Sequence, residues 1–181
     1  MKTLLICALG TGLVLGAPAL AQTETSDPAN AERTLKASFV GADGNDIGTA
    51  GLTQTENGVL IQIDIEGLPA DSWVAFHVHE TDSCDPQDGF KAAGGHFNPD
   101  GADHGFLVES GPHAGDMPNQ HVGPDGTLQA DVLNANVTLA KGETSIQGRA
   151  LMIHAGKDDY KSQPSGDAGD RIACAVIGAA T

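Results

Sequence analysis

The sequence predicts an all-β protein, an antiparallel sandwich or flattened barrel of seven or eight strands that carries two long functional loops. Three observations lead there. Short runs of β-branched and apolar residues recur between turn-forming stretches along most of the chain. No segment places apolar residues at helical spacing over a useful length. Glycine supplies 24 of the 181 residues, well above the usual share of about 7%, as many tight turns require.

The first strand is read at Thr34–Val40 (TLKASFV), followed by the turn GADGN and a second strand at Ile47–Thr55. The turn ENG then leads into VLIQIDIEGL, with Asn57-Gly58 as a strong hairpin signal. In that third strand Val59, Ile61, Ile63 and Ile65 alternate with Leu60, Gln62 and Asp64, so one face is apolar. Trp73–Glu80 (WVAFHVHE) is the fourth, by its β-branched and aromatic content. Alternation sends His77 and His79 to one face, Phe76 and Val78 to the other. Two imidazoles projecting side by side from a rigid strand make a ready pair of metal ligands. Taken alone, the same spacing also describes two polar residues on a solvent face.

After Glu80 the pattern lapses until about Gly126, in a stretch rich in Gly, Pro, Asp and Asn. So long a connection inside a compact domain is functional or unordered. This one carries Cys84, His96, His104, His113, Asp116 and His121. A disulfide and metal ions can order such a segment in place of a hydrophobic core. Strands resume at Thr127–Leu133 and Ser145–Ala155. A polar loop, 157–171, precedes a last apolar strand, IACAVIG.

The N-terminal stretch reads as an export signal. Lys2 gives a positive start, Leu4 to Leu15 an apolar run containing Cys7, and Ala19-Leu20-Ala21 a small-x-small cleavage site. Residues 1–21 are therefore assigned as a signal peptide, 22–32 as a flexible polar arm, and 33–181 as one β-domain. Localisation follows as the periplasm, with no membrane association after cleavage. The cleaved chain keeps two cysteines, Cys84 and Cys174, and an even count in an oxidising compartment implies a disulfide. The formal charge is −15, and loss of Lys2 makes it −16. That argues against nucleic acid and anionic membrane surfaces as partners.

Six of the seven histidines stand where they can converge: His77 and His79 on one strand, His154 at the end of another, and His96, His104 and His113 in the long loop with Asp116. Imidazole with carboxylate selects a borderline transition metal such as zinc or copper over calcium or magnesium.

The motifs FHVHE, GGHFNP, GPHAGDMPN and AGDRIACAVIG, in this order, resemble the copper–zinc superoxide dismutase family, especially its bacterial exported branch. The likeness runs from about Thr34 to the C-terminus. It implies an eight-stranded antiparallel Greek-key barrel, one copper and one zinc per subunit, superoxide as substrate, and a scaffold compatible with a homodimer. It implies that His77, His79, His96 and His154 hold copper, and that His96, His104, His113 and Asp116 hold zinc, with His96 bridging the two. Cys84 and Cys174 match the family's disulfide. Arg171 matches the arginine that draws the anion toward copper, and Asp158 the carboxylate that hydrogen-bonds one ligand of each metal.

Ala75 and Asp82 stand where the family commonly has glycine, and Asp170 places an acid beside Arg171. Lys157 and Lys161 are candidates for a local positive patch that would offset the net charge. His121 has no family counterpart and reads as a surface turn residue. The second reading is a non-enzymatic periplasmic copper carrier or buffer on the same scaffold, which would have no use for an anion-guiding arginine.

Overall fold

Eight antiparallel strands make one sheet that curls into a nearly closed barrel, in the order β5-β4-β7-β8-β1-β2-β3-β6. They are β1 (Thr34–Gly41), β2 (Asp46–Thr55), β3 (Gly58–Ile65), β4 (Trp73–His79), β5 (Gln120–His121), β6 (Leu128–Asn134), β7 (Ala150–His154) and β8 (Arg171–Val176). The links β3–β4 and β6–β7 each cross to a distant place in the sheet, which is the Greek-key connection. The computed structural model describes residues 33–178. The residues assigned from sequence to an export signal and a polar arm, Cys7 among them, lie outside that range.

Alternation builds the core. Leu35, Ala37 and Phe39 point inward from β1 while Thr34, Lys36 and Ser38 face solvent. Val59, Ile61, Ile63 and Ile65 do the same from β3, as their spacing predicts. Phe76 and Val78 of β4, Leu151 and Ile153 of β7, and Ala173 and Ala175 of β8 complete that interior. The outer faces of β7 and β8 are buried too. Ala150, Met152 and Cys174 pack under Phe90, Ala93 and Cys84 from the loop after β4. Cys84 and Cys174 are joined there, 90 residues apart in sequence. In the chain-entropy model such a link stabilises by on the order of 4–5 kcal/mol.

The structure departs from the sequence reading in two places. The β2–β3 hairpin turns on Glu56 and Asn57, because Gly58 already pairs with Thr55. Ser145–Arg149 is not strand: Gly148 adopts a positive φ, and Arg149 folds back so that its Nε donates to the Ser145 carbonyl. The fourth strand lies where the sequence places it, and from Val74 to His79 it is buried on both faces.

That burial explains how the long loop is ordered. One edge of β4 pairs with β7. The other edge is taken by pieces of the loop itself. The Phe97 amide donates to the Val78 carbonyl, the Val78 amide to Gly115, the Glu80 amide to Gly95, and β5 pairs with Trp73 and Val74. Backbone bridges thereby set His77 beside Asp116 and His79 beside His96. The loop is a second edge partner for β4, and its ligand-type residues arrive in register.

Candidate metal centre

His77 and His79 leave β4 on the same face, and His154 joins them from the paired strand β7. His96 closes the group from the loop, its ring stacked on that of His77 at 3.9 Å between centroids. His77, His79, His96 and His154 each offer a nitrogen, and those atoms lie within 4.8 Å of one another. A second group shares His96: its other members, His104, His113 and Asp116, meet the same limit. All seven residues are buried.

The hydrogen-bond pattern says which atoms are left for a metal. Asp158 Oδ2 lies 2.9 Å from His77 Nε2 and its Oδ1 lies 3.0 Å from His104 Nε2. Both imidazoles must therefore carry their proton on Nε2, which frees each Nδ1. The Gly94 carbonyl accepts from His79 Nδ1 at 3.0 Å, leaving its Nε2 as a lone pair. His154 Nδ1 faces the Gly169 carbonyl at 3.3 Å in the same sense. The two Nε2 atoms of His79 and His154 stand 3.3 Å apart. With both protons on Nδ1 this contact is two lone pairs facing each other, a repulsion that a cation between them relieves.

Three buried nitrogens, His77 Nδ1, His96 Nε2 and His113 Nδ1, have no hydrogen-bond partner. Buried polar atoms are almost always satisfied. Three orphans inside two convergent groups therefore mark places for ions. In the second group Asp116 lies 2.9 Å from His96 Nδ1, 3.1 Å from His104 Nδ1 and 3.4 Å from His113 Nδ1. The edge of a tetrahedron with zinc–ligand bonds of about 2.0–2.1 Å is about 3.3 Å. The three-nitrogen, one-carboxylate set thus fits a closed zinc site, and the four-imidazole set fits copper. Asp116 is further fixed by the amides of Gly105 and His113, both donating to Oδ2.

Electrostatics prepare both groups. Burial, above all, pushes His77 and His79 below the ordinary histidine range, His96 to about 4 and His154 to about 3. They are neutral at physiological pH, the form a metal requires. Burial also opposes charge on His104, but its hydrogen bonds to the carboxylates of Asp116 and Asp158 outweigh it and raise the group to about 9. Burial would raise Asp116 as well; the imidazoles of His104, His113 and His96 hold it far below the carboxylate range instead.

A pH profile follows for chelated protein. His96 and His154 bind protons less readily folded than unfolded, so their stabilisation is complete above about pH 6.5. It is lost as pH falls through about 4 and about 3. His104 works in the opposite sense, with stabilisation complete below about 6.5 and lost as pH rises through about 9. The melting temperature of metal-free protein is expected to peak near neutrality and fall on both sides. A steady rise toward pH 4 would contradict the assignment.

A cleft of about 470 Å3 opens on the four-imidazole group, lined by His79, Glu80, His96, His154, Gly169 and Arg171 among others. His113 of the second group also lines it, whereas His77, His104 and Asp116 do not. Arg171 is tethered at the wall: Nη1 donates to the Phe90 carbonyl at 2.5 Å and Nη2 to Gly94 at 2.6 Å. Burial lowers its pKa from the usual arginine range while Asp88 opposes that, and a guanidinium stays charged in either case. Another cleft, of about 530 Å3, lies among Asp46, Asp64 and Glu66 and contains no histidine.

A family model for copper/zinc superoxide dismutase (SODC) matches residues 47–177. The chain belongs to the copper/zinc superoxide dismutase family. Its relatives include "Superoxide dismutase [Cu-Zn] 1" of Aquifex aeolicus, 51% identical over 150 residues that cover 81% of this chain and 88% of that protein. A superoxide dismutase-like protein of Bacillus subtilis is similar in structure, with a TM-score of 0.76 and 34% identity over 81% of this chain and 99% of its own. The Cu/Zn superoxide dismutase from Brucella abortus gives 0.67 and 30% over 80% and 99%.

The structure brings His77, His79, His96 and His154 together in one group and His96, His104, His113 and Asp116 in another. Lys157 and Lys161 do not line the cleft; Lys157 Nζ instead sits 5.8 Å from the centre of the Trp73 ring. His121 is a strand residue rather than a turn residue, packed edge-on to Trp73 and apart from both groups. Sequence reasoning missed two supports. Asn119 holds the backbone of Asp158 at both ends, donating to its carbonyl and accepting from its amide. Gly166, at φ +71°, leaves room for Asp158: a Cβ there would stand 1.8 Å from Oδ1. Asn119 closes the motif GPHAGDMPN, which says nothing of this contact, and Gly166 has no signal beyond its place in a polar loop.

Proposed function

We propose that this protein is an exported copper–zinc superoxide dismutase that converts two superoxide anions and two protons into O2 and H2O2, protecting the cell envelope from oxidative damage. His77, His79, His96 and His154 hold copper. His96, His104, His113 and Asp116 hold zinc in a closed, structural site. The observation that carries the reading is the sharing of His96 between two buried ligand groups beside a cleft whose wall holds Arg171.

Copper, when bound, supplies a one-electron redox couple that zinc lacks. The residues do the rest. Arg171 keeps N–H groups beyond its two tethers for the anion and supplies positive charge at the cleft wall, where local field outweighs a distant net charge screened over about 8 Å. Of the two protons in H2O2, one would be held at His96 Nε2, the ring nitrogen opposite the one that faces Asp116, and the other would come from water. Asp158 fixes the tautomers of His77 and His104, so that one carboxylate orients a ligand of each metal.

Residues 1–21 act as the export signal and the domain of 33–181 works in the periplasm. The Cys84–Cys174 bridge supports an oxidising compartment, and among the described residues no helix is long and apolar enough to cross a membrane. The copper-carrier reading leaves the tethered Arg171 without a purpose.

Superoxide decay after pulse radiolysis, on protein with copper and zinc quantified, tests the proposal. A fast rate proportional to copper and falling with salt is expected; bound copper without turnover would refute it. Arg171→Glu should lower the bimolecular rate roughly tenfold or more at low ionic strength with both metals retained. Equal rates would remove Arg171 from the anion's path.

A further inference from the structure

We propose that Glu80 is a positioning residue of this centre: it grips the N–H end of the Gly94–Gly95 peptide unit, whose carbonyl end orients both His79 and Arg171. The inference rests on the dismutase reading and adds to it a support for two of its working groups.

Glu80 poses a problem by its place. It follows His79, is exposed, and lines the cleft that has to admit an anion. By charge alone it opposes the substrate. Its geometry shows what it contributes instead. Oε2 accepts from the Gly95 amide at 2.9 Å. The Gly94 carbonyl accepts from His79 Nδ1 at 3.0 Å and from Arg171 Nη2 at 2.6 Å. That amide and that carbonyl belong to one planar unit, so a hold on one end sets the direction of the other.

The unit needs such a hold because glycine flanks it on both sides, and a Gly-Gly peptide rotates at little steric cost. Gly94 sits at φ +78°, and a Cβ there would stand 2.6 Å from Glu80 Oε2, so the carboxylate lies directly against the turn. Glu80 itself is anchored. Its amide donates to the Gly95 carbonyl at 3.0 Å and its own carbonyl accepts from Arg149 Nη1 at 2.6 Å. The Arg149 guanidinium is in turn seated 3.8 Å over the Phe97 ring.

Two consequences follow from the Gly94 carbonyl. It keeps the proton of His79 on Nδ1, and so keeps Nε2 free toward the four-imidazole group. It also holds one arm of the guanidinium that faces the cleft. Release of the peptide unit would loosen both at once.

The test compares Glu80→Ala and Glu80→Gln with the parent as copper- and zinc-loaded proteins. Glutamine keeps an oxygen acceptor and drops the charge; alanine drops both. Two readouts are taken: the bimolecular rate with superoxide across a salt series, and exchange of the His79 Nδ1 proton with water, read by NMR on the diamagnetic reduced holoprotein. With alanine the rate should fall roughly fivefold at high salt, the factor carried by one ordinary hydrogen bond, and exchange should accelerate roughly tenfold. With glutamine exchange should return to the parent value and the low-salt rate should rise above it.

Equal rates in the two variants, or exchange unchanged by alanine, would overturn the proposal and leave Glu80 as a charge only. A parent protein without turnover would overturn the dismutase reading, while proton exchange would still decide the role of Glu80.

Discussion

His96→Ala should lower superoxide dismutation by more than about a hundredfold and reduce retention of both metals, since even an outer partner of a metal ligand is worth about 10–100-fold. The reason is its double membership. Nδ1 lies 2.9 Å from Asp116, and Nε2 is one of the buried nitrogens without a partner. Alanine deletes a donor from each group and the atom assigned to carry a proton. Metal content of the purified variant, measured beside superoxide decay, separates the effects. A variant that retained both metals and the parent rate would remove His96 from the centre.

Asp116→Ala should have the largest effect on stability. The carboxylate is 3% exposed, and it serves the zinc group while accepting the amides of Gly105 and His113. Its removal leaves two buried amides unpaired and strips His104 of one of two flanking anions. Breaking a buried ionic arrangement by deleting one partner costs about 3–5 kcal/mol. For a domain of this size that is a fall of about 10 °C in the melting temperature of metal-free protein. Zinc affinity should also drop, so the difference between parent and variant should widen when zinc is present. Calorimetry with and without chelator measures both. A metal-free variant as stable as the parent would show that the amides find other partners.

The two expectations draw on different kinds of information. His96 was legible as a ligand because GGHFNP resembles a family motif and because histidines are few. That Asp116 also anchors two amides was not legible, for an Asp three residues past a His says nothing of where the amides of Gly105 and His113 will point. The strands were read well where one face is apolar, as in Val59–Ile65. Double burial, by contrast, was not legible even where the strand itself was. His77 and Val78 are equally buried, so no alternation of polarity records that the loop covers the outer face of β4. The run Ser145–Ala155 was read as continuous strand because its composition is right; Gly148 and the Arg149 fold-back break it.

Local periodicity and residue chemistry, then, determined by themselves that this chain is an antiparallel β protein, that six of its histidines and Asp116 suit borderline metals, and that two cysteines are available to pair. These follow from properties carried by single residues or by neighbours two positions apart. Tertiary structure alone decided that the loop after β4 pairs with the free edge of that strand, that Asn119 and Gly166 shape the seat of Asp158, and that Glu80 reaches the Gly94–Gly95 peptide. Each of these joins positions that are not neighbours in the chain, and most engage a backbone amide or carbonyl that every residue possesses. Such groups leave no mark in a sequence, and only closure of the barrel brings them together.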